Sequence, residues 1–472
     1  MQANMRDAPV RICFSQGTLL LDAAPEQLIP VAQDVIFDER VKLYRAQAYK
    51  YARIIIALRE HRIDFIDEAR AYSQLELELH AGFAPRAHQQ EAFRCWRVEA
   101  AGRAMIVMPT GSGKTYMAVM AISAIKRPAL IVVPTIDLMQ QWASSLEKFF
   151  HCKVGMLGGG SREIEQITVT TYDSAVIHME FIGNRFGFVI FDECHHLPGQ
   201  VNRTAAAMCM APYRLGLTAT PDRDDGGNEI IEELIGPIAY QIHIDELEGS
   251  VLAPYVTRRL ELALEPDEAA DYQLSRQIYT GFLRRNGITF NQKSDWARFI
   301  GLCARQPDGR KALDAYLTQR RIARAGKSKF NKVWELICRH RGERIIAFTA
   351  DNDTAYDMGR RFLLPVITHR TKAAERKEFL DNFRSGQYPV LITSKVLNEG
   401  VDVPEAGIGI IVSGSGSIRE HVQRLGRILR AGEGKQAVLY ELVSEGTSEV
   451  HVSERRREHR AYKNHFSWKR RS

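Results

Sequence analysis

The sequence has 472 residues, too many for one ordinary domain, and a length prior suggests roughly three. Hydrophobic residues make up 45% and charged residues 26%, values that allow a core of normal size and exclude wholesale disorder. A net charge of +7 suits a polyanionic partner but does not identify one.

None of the seven cysteines forms a CxxC pair, which argues against a zinc ribbon, an iron–sulfur cluster or a disulfide framework. Apolar runs such as Ala129–Val133 are far too short to span a bilayer, so no membrane association is expected. The start of the chain has no sustained apolar stretch after a basic residue. Buried free thiols in a reducing cytosol are the expectation.

Residues 1–80 carry no catalytic motif and suggest a small αβ module. Arg11–Phe14 and Thr18–Leu21 read as a hairpin around Ser15–Gly17. Val41–Glu60 reads as a helix with interleaved aromatic and basic residues: Tyr44, Arg45, Tyr49, Lys50, Tyr51 and Arg53. From 84 to 250, strand-like runs alternate with helix-length segments: Ala104–Met108, Leu130–Val133, Ile167–Thr170, Phe188–Phe191 and Arg214–Leu217. Strands buried on both faces read this way, as in a parallel sheet with crossover helices. Residues 255–326 read as a largely helical, Arg-rich insertion, with helices at Asp267–Arg285, Asp295–Cys303 and Gly309–Ala325. The alternation returns over 330–445, at Arg344–Phe348, Pro365–Ile367, Val390–Thr393, Gly407–Val412 and Ala437–Glu441. Two α/β lobes are the simplest account. Residues 446–472 form a basic tail whose charges are read as solvated.

The chemistry sits where strands end. Met108-Pro109-Thr110-Gly111-Ser112-Gly113-Lys114-Thr115 follows a strand and opens a helix. Gly111 and Gly113 allow the tight turn that faces backbone amides toward an anion, and the helix adds its positive N-terminal end. Lys114 would reach the β- and γ-phosphates of ATP, and the Thr115 hydroxyl would bind Mg²⁺. Thr110 and Ser112 complete the cradle.

Asp192 and Glu193 follow the strand Phe188–Phe191, at the end where α/β sheets bind ligands. Asp192 would hold Mg²⁺ through water, and Glu193 would polarise the attacking water. His195 is read as a γ-phosphate sensor and His196 as structural. In Gly216-Leu217-Thr218-Ala219-Thr220-Pro221, small hydroxyl residues can exchange hydrogen bonds between the nucleotide and a moving element.

In the second lobe, Gln423-Arg424-Leu425-Gly426-Arg427-Ile428-Leu429-Arg430 reads as a helix with Arg427 and Arg430 on one face, matching the spread charge of a transferring γ-phosphoryl group. The bland alternative is a solvated basic face. Gly400 and Asp402, in Asn398-Glu399-Gly400-Val401-Asp402-Val403-Pro404, form a turn within reach of nucleotide. Arg86 and Gln89 precede the phosphate loop by about twenty residues, and a Gln amide can pair with the adenine edge.

The ordered set of Arg86/Gln89, the phosphate loop, Pro134-Thr135, Thr170-Thr171-Tyr172, Asp192–His195, the Thr218–Pro221 turn, Thr368-His369-Arg370, the Gly400–Asp402 turn and Gln423–Arg430 resembles superfamily 2 helicases over residues 84–445. Within them the chain resembles the archaeal and bacterial XPB family along nearly its full length. Arg223-Asp224-Asp225 resembles that family's Arg-Glu-Asp element, the segment around Tyr44-Arg45-Ala46 its damage-recognition domain, and the helical insertion its thumb.

The resemblance implies two RecA-like lobes and an ATP- and Mg²⁺-dependent 3′-to-5′ DNA helicase or translocase. It would act as a monomer in the cytoplasm of a prokaryote, associated with the nucleoid, on forked or partly single-stranded DNA, in nucleotide excision repair, with a nuclease as a partner. It implies coupling or DNA-contacting roles for Thr135, Tyr172, His195, Thr218, Thr220, Arg223, Asp224, Asp225, His369 and Arg370, and a nucleotide contact for Gln423. Cys194 stands where the family usually has Val, and Asp224 shortens the Arg-Glu-Asp element by one methylene. Two other readings share the ATP site: an ATP-switched damage- or fork-binding protein with little unwinding, and a DEAH-type RNA helicase.

Overall fold

A computed structural model describes residues 8–80, 84–220, 227–247, 249, 251–290, 293–394, 406–414 and 437–457. They fall into two compact units, one running through His243 and one beginning at Ile244.

The N-terminal module is built on β1 (Val10–Ser15), β2 (Thr18–Asp22), β3 (Val35–Asp38), β4 (Leu43–Gln47) and β5 (Phe65–Asp67), in the order β3-β4-β2-β1-β5. The expected hairpin is present: β1 and β2 pair antiparallel with Ser15 opposite Thr18. Its two turn residues, Gln16 and Gly17, have φ of 49° and 74°, as a two-residue turn matched to strand twist requires. A Cβ at Gly17 would also lie 2.6 Å from Met208 Cγ, so that turn is packed against the neighbouring lobe.

Only part of the helix expected over Val41–Glu60 forms. Leu43–Gln47 is strand β4, paired on both edges with β2 and β3, and the α-helix spans Tyr51–Glu60. Cross-strand partners decide it. Arg45 Nε donates to Asp38 on β3 at 2.8 Å, and Tyr44 meets Phe37 edge-to-face at 5.2 Å. Interleaved aromatic and basic residues satisfy period 2 as well as a helical period, and the sheet wins by using both residue types.

The first lobe carries β6 (Arg103–Val107), β7 (Ala129–Val133), β8 (Gly155–Gly158), β9 (Ser161–Arg162), β10 (Ile167–Thr171), β11 (Phe188–Asp192), β12 (Tyr213–Thr218) and β13 (Ile238–Gln241). Their order is β13-β6-β12-β11-β7-β10-β8-β9, parallel except for the β8–β9 pair. Every residue of β7, β10 and β11 is buried, which is why these strands read as unbroken apolar or Thr-rich runs. Helices Lys114–Ile125, Ile136–Phe150 and Tyr172–Ile182 follow β6, β7 and β10.

Arg214, on β12, is fully buried without a carboxylate among its hydrogen-bond partners. Its guanidinium donates to the carbonyls of Ala211 (3.1 Å), Ala206 (3.1 Å), Leu234 (2.7 Å) and Cys209. Burial pulls its pKa down to about 10. Tyr49 of the N-terminal module lies over this guanidinium, 5.9 Å from ring centroid to Cζ, and donates its hydroxyl to Glu233. Module and lobe therefore share one buried polar junction.

The second unit has β14 (Tyr255–Leu262), β15 (Ile345–Phe348), β16 (Val366–Ile367), β17 (Val390–Thr393), β18 (Ile408–Ile411) and β19 (Ala437–Ser444), all parallel in the order β14-β19-β18-β15-β17-β16. Residues 255–262, expected to open the helical insertion, are strand instead. They pair with β19 along the whole length from Tyr255↔Ala437 to Leu262↔Ser444. Ile244–Leu247, expected in the first lobe, is a short helix of this second unit.

Helices Pro266–Arg285, Lys293–Arg305 and Gly309–Ala325 then form the insertion, with Phe282, Ile288, Phe299, Cys303 and Ala312 as its core. Among the described residues no helix is long and apolar enough to cross a membrane, and no cluster of His, Cys, Asp and Glu could hold a metal ion.

Candidate nucleotide-binding site

Strands β6, β11 and β12 lie side by side and release their chains at one end of the sheet, so the three first-lobe motifs converge there. After β6 the chain turns through Gly111 and Gly113, with φ of 85° and 89°, and enters the helix at Lys114. A Cβ at Gly113 would lie 2.2 Å from Gln89 Nε2 and displace that amide, and the φ of 89° is one that favours glycine. Ser112 is buried and its hydroxyl donates to Pro109 O at 2.7 Å, holding the loop closed on itself.

Gln89 is fastened to this loop. Its Nε2 donates to the carbonyls of Ser112 (3.3 Å) and Gly113 (3.2 Å), and its Oε1 accepts from the Arg86 backbone N–H at 2.9 Å. Both ends of the amide are thus engaged by the chain itself, and Gln89 braces the loop. His88, which the sequence reading passed over, adds a ring nitrogen 2.8 Å from Ser112 O. Its position beside Gln89 was the available signal.

At the end of β11, Asp192 is buried. Its Oδ2 accepts from Trp142 Nε1 at 2.8 Å and its Oδ1 from the Glu193 backbone N–H at 3.0 Å. Burial, followed by the charge of Glu193, pushes the Asp192 carboxyl up to about 6, against the opposing pull of Lys114 and the Trp142 bond. Glu193 has φ 47°, a left-handed conformation uncommon outside glycine and asparagine, which marks a locally strained turn at the site.

Polar contacts run outward from Glu193. Lys114 Nζ lies 3.6 Å from Glu193 Oε1, and His195 Nδ1 lies 3.3 Å from Glu193 Oε2. The same His195 nitrogen is 3.2 Å from Thr218 Oγ1, which donates to Thr220 O at 3.0 Å. A continuous polar path therefore joins the phosphate loop to the Thr218–Thr220 turn. His196 packs against His195 with ring centroids 4.4 Å apart and planes tilted by 36°.

Thr135 and Tyr172 stand behind this path. Thr135 caps the helix Ile136–Phe150, accepting from Leu138 N at 3.2 Å, and that helix carries Trp142 to Asp192. Tyr172 is buried, with its hydroxyl donating to Asp192 O at 3.1 Å. In this structure both residues seat the acidic strand end. Nothing in the sequence singled out Trp142, because an apolar ring in an amphipathic helix reads as core.

In the second unit, His369 and Arg370 are exposed. His369 Nδ1 is 2.9 Å from Asn352 Nδ2, and the Arg370 N–H donates to Thr368 Oγ1 at 3.2 Å. Arg223, Asp224, Asp225, Gly400, Asp402, Gln423, Arg427 and Arg430 lie outside the described residues.

Residues 12–69 match the xeroderma pigmentosum group B helicase damage recognition domain, residues 82–223 the type III restriction enzyme res subunit, and residues 316–466 the ERCC3/RAD25/XPB C-terminal helicase. The DNA 3′-5′ translocase XPB2 of Sulfurisphaera tokodaii is 39% identical over 456 residues, covering 95% of this chain and 100% of that protein. The chain belongs to the XPB helicase family. A bacterial member, the DNA 3′-5′ helicase XPB of Kineococcus radiotolerans, is 30% identical over 78% of this chain, which spans 61% of that protein's length.

Solved helicase structures share the XPB chain's fold at low identity. The Pyrococcus furiosus Hef helicase domain aligns with a TM-score of 0.54 at 18% identity, over 78% of this chain and 97% of that one. Yeast Dbp5 gives a TM-score of 0.54 at 16% identity over 79% and 88%. The RecA-like α/β lobes expected from the sequence are thus shown.

Proposed function

We propose that this XPB-family protein is an ATP-driven 3′-to-5′ DNA translocase that opens duplexes, acting in nucleotide excision repair. The observation that carries the reading is the polar path Lys114–Glu193–His195–Thr218–Thr220, which joins a phosphate-cradling loop to the chain leading into Arg223. Lys114 binds the β- and γ-phosphates, with Thr110, Gly111, Ser112 and Gly113 wrapped around them. The Thr115 hydroxyl and the buried Asp192 carboxylate fit a Mg²⁺ ion, which would neutralise charge on the transferring phosphoryl group.

Glu193 orients the attacking water and accepts its proton. When ATP is present, Lys114 turns to phosphate and the 3.6 Å contact to Glu193 is given up. His195 feels that change directly and passes it to the Thr218–Thr220 turn. Gly400, Asp402, Gln423, Arg427 and Arg430 supply the second lobe's share of the site, and Arg223, Asp224, Asp225, His369 and Arg370 face DNA. A nuclease that cuts the opened strand is a fitting partner.

Glu193→Gln is expected to bind ATP and DNA yet hydrolyse slowly, because shape is kept and the proton acceptor is lost. Weak nucleotide binding in that variant would show instead that Glu193 holds the site together. The nucleic-acid class is tested by measuring ATPase stimulation separately with duplex DNA, single-stranded DNA and RNA. Stimulation by RNA alone would overturn the DNA reading.

Asp192 gives a pH signature. Burial raises its carboxyl, so at limiting Mg²⁺ protons compete with the metal ion for it and hydrolysis should decline on the acidic side. Trp142→Phe removes a donor that favours the ionised form, and should shift this acidic limb to higher pH. The variant's rate should fall several-fold more at pH 6 than at pH 8 relative to the parent, on the order of one hydrogen bond to a charge. A parallel loss at both pH values would mean that Trp142 acts on packing alone.

Coupling is separable from hydrolysis. Arg223→Ala, or removal of the insertion with its exposed arginines, should leave much of the basal ATPase and abolish unwinding. Backbone contacts of this kind are sequence-independent and weaken with salt. Folded protein that lacks the insertion and still unwinds at the parental rate would sink the gripping role.

A further inference from the structure

The helical insertion concentrates aromatic rings that no nucleotide motif uses. Phe282 and Phe299 are buried at its centre and pack edge-to-face at 6.0 Å. Around them the packing opens outward. Trp296 lies 5.4 Å from Phe299, 5.1 Å from Tyr316 and 6.2 Å from Phe290, all at tilted angles of 38°, 53° and 39°. Trp296 remains 41% exposed and Phe290 44% exposed. One turn along, Ile300 is also exposed.

A single exposed apolar residue needs no explanation. Two neighbouring exposed rings clamped by a buried aromatic core do, because tilted neighbours fix their orientation without covering them. Positive charge borders the rings. Arg320, exposed, sits 5.9 Å from the ring centroid of Tyr316, itself packed 5.1 Å from Trp296, and donates to the Tyr316 hydroxyl at 3.3 Å. A guanidinium at the edge of this rigid ring cluster fits a ligand that alternates anionic backbone with flat apolar groups.

We infer that Trp296 and Phe290 form a stacking platform for unpaired bases of a DNA strand, with Arg320 at its edge to hold a phosphate. The inference rests on the reading of the chain as a DNA translocase, whose action exposes such bases. A platform of this kind accepts any base, since every base has a π-face, and it gives the insertion a preference for single strands that arginines alone do not provide. Fixing the rings in advance lowers the ordering cost of each stacking event.

The test uses the full chain without nucleotide and three probes of equal length: oligo-deoxythymidine, an abasic oligonucleotide with the same phosphates, and duplex DNA. The parent should bind oligo-deoxythymidine on the order of tenfold tighter than the abasic strand. Trp296→Ala should erase most of that difference, Trp296→Phe should restore much of it, and duplex binding and basal ATPase should stay near parental. Phe290→Ala, at a more exposed ring, should lose part of the same difference. Should the parent bind the abasic strand as well as oligo-deoxythymidine, or Trp296→Ala and Phe290→Ala both keep the full difference, the platform is wrong and the face serves another partner. Failure of the parent to bind any of the three probes would overturn the translocase reading itself, and the platform with it.

Discussion

Replacing Lys114 by alanine is expected to abolish DNA-stimulated ATP hydrolysis. Lys114 is the one lysine of the phosphate loop, and it sits at the helix start where Gly113 delivers the chain. Its Nζ already lies 3.6 Å from Glu193, inside the pocket where phosphate charge would be placed. Removing a single positioned donor from such a site typically lowers turnover by on the order of a hundredfold or more, and here the donor also carries the charge. The loss should appear in hydrolysis and in nucleotide affinity together, since ground-state phosphates use the same lysine. DNA-stimulated hydrolysis that survives in a folded Lys114→Ala protein would remove the phosphate-loop assignment and every role built on it.

Much of the fold was legible because burial on both faces writes itself into sequence. Val132 and Ile190 need no polar face, so β7 and β11 read as plain apolar runs that end at the motifs. What stayed hidden had a local rival. Gly155-Met156-Leu157-Gly158 has too short an apolar run to be marked as a strand, yet it forms β8 because Thr168, Val169 and Thr170 of β10 pair with it. Leu43–Gln47 looked helical until its partners on β2 and β3 were seen. Tyr255–Leu262 was assigned to the wrong element because its strand partner, β19, lies far along the chain. In each case a long-range pairing overrode a local pattern.

The candidate site divides the same way. Lys114, Asp192, Glu193 and His195 carry unusual chemistry at strand ends, and sequence alone brings them to notice. Trp142 carries none. It becomes relevant only because the helix capped by Thr135 sets its indole N–H 2.8 Å from a buried carboxylate. Gln89 reads as a base contact from its place ahead of the loop, and the structure adds that its amide N–H groups meet the carbonyls of Ser112 and Gly113. Which partner a glutamine chooses depends on distances that no spacing rule contains. The strain at Glu193 was equally invisible, since nothing in Asp192-Glu193-Cys194-His195 announces a left-handed φ.

Arg427→Ala is expected to collapse turnover while changing nucleotide affinity little. The argument starts from spacing: Arg427 and Arg430 are three residues apart in Gln423–Arg430, and a helix there would project both from one face. Guanidinium is planar, always charged and suited to two phosphate oxygens at once, so it serves a phosphoryl group whose charge spreads over equatorial oxygens. Such arginines contribute on the order of a thousandfold or more to turnover in related phosphoryl transfers, because the interaction strengthens only as the transition state forms. For that reason kcat should fall while the affinity for a non-hydrolysable ATP analogue holds. Arg427→Lys separates geometry from charge: it keeps the cation and loses the fork, and should recover only a small part of the rate. A basic face that is merely solvated would tolerate both substitutions. Parental kcat in Arg427→Ala would therefore move the catalytic assignment off this segment and leave the first lobe's residues to explain hydrolysis alone.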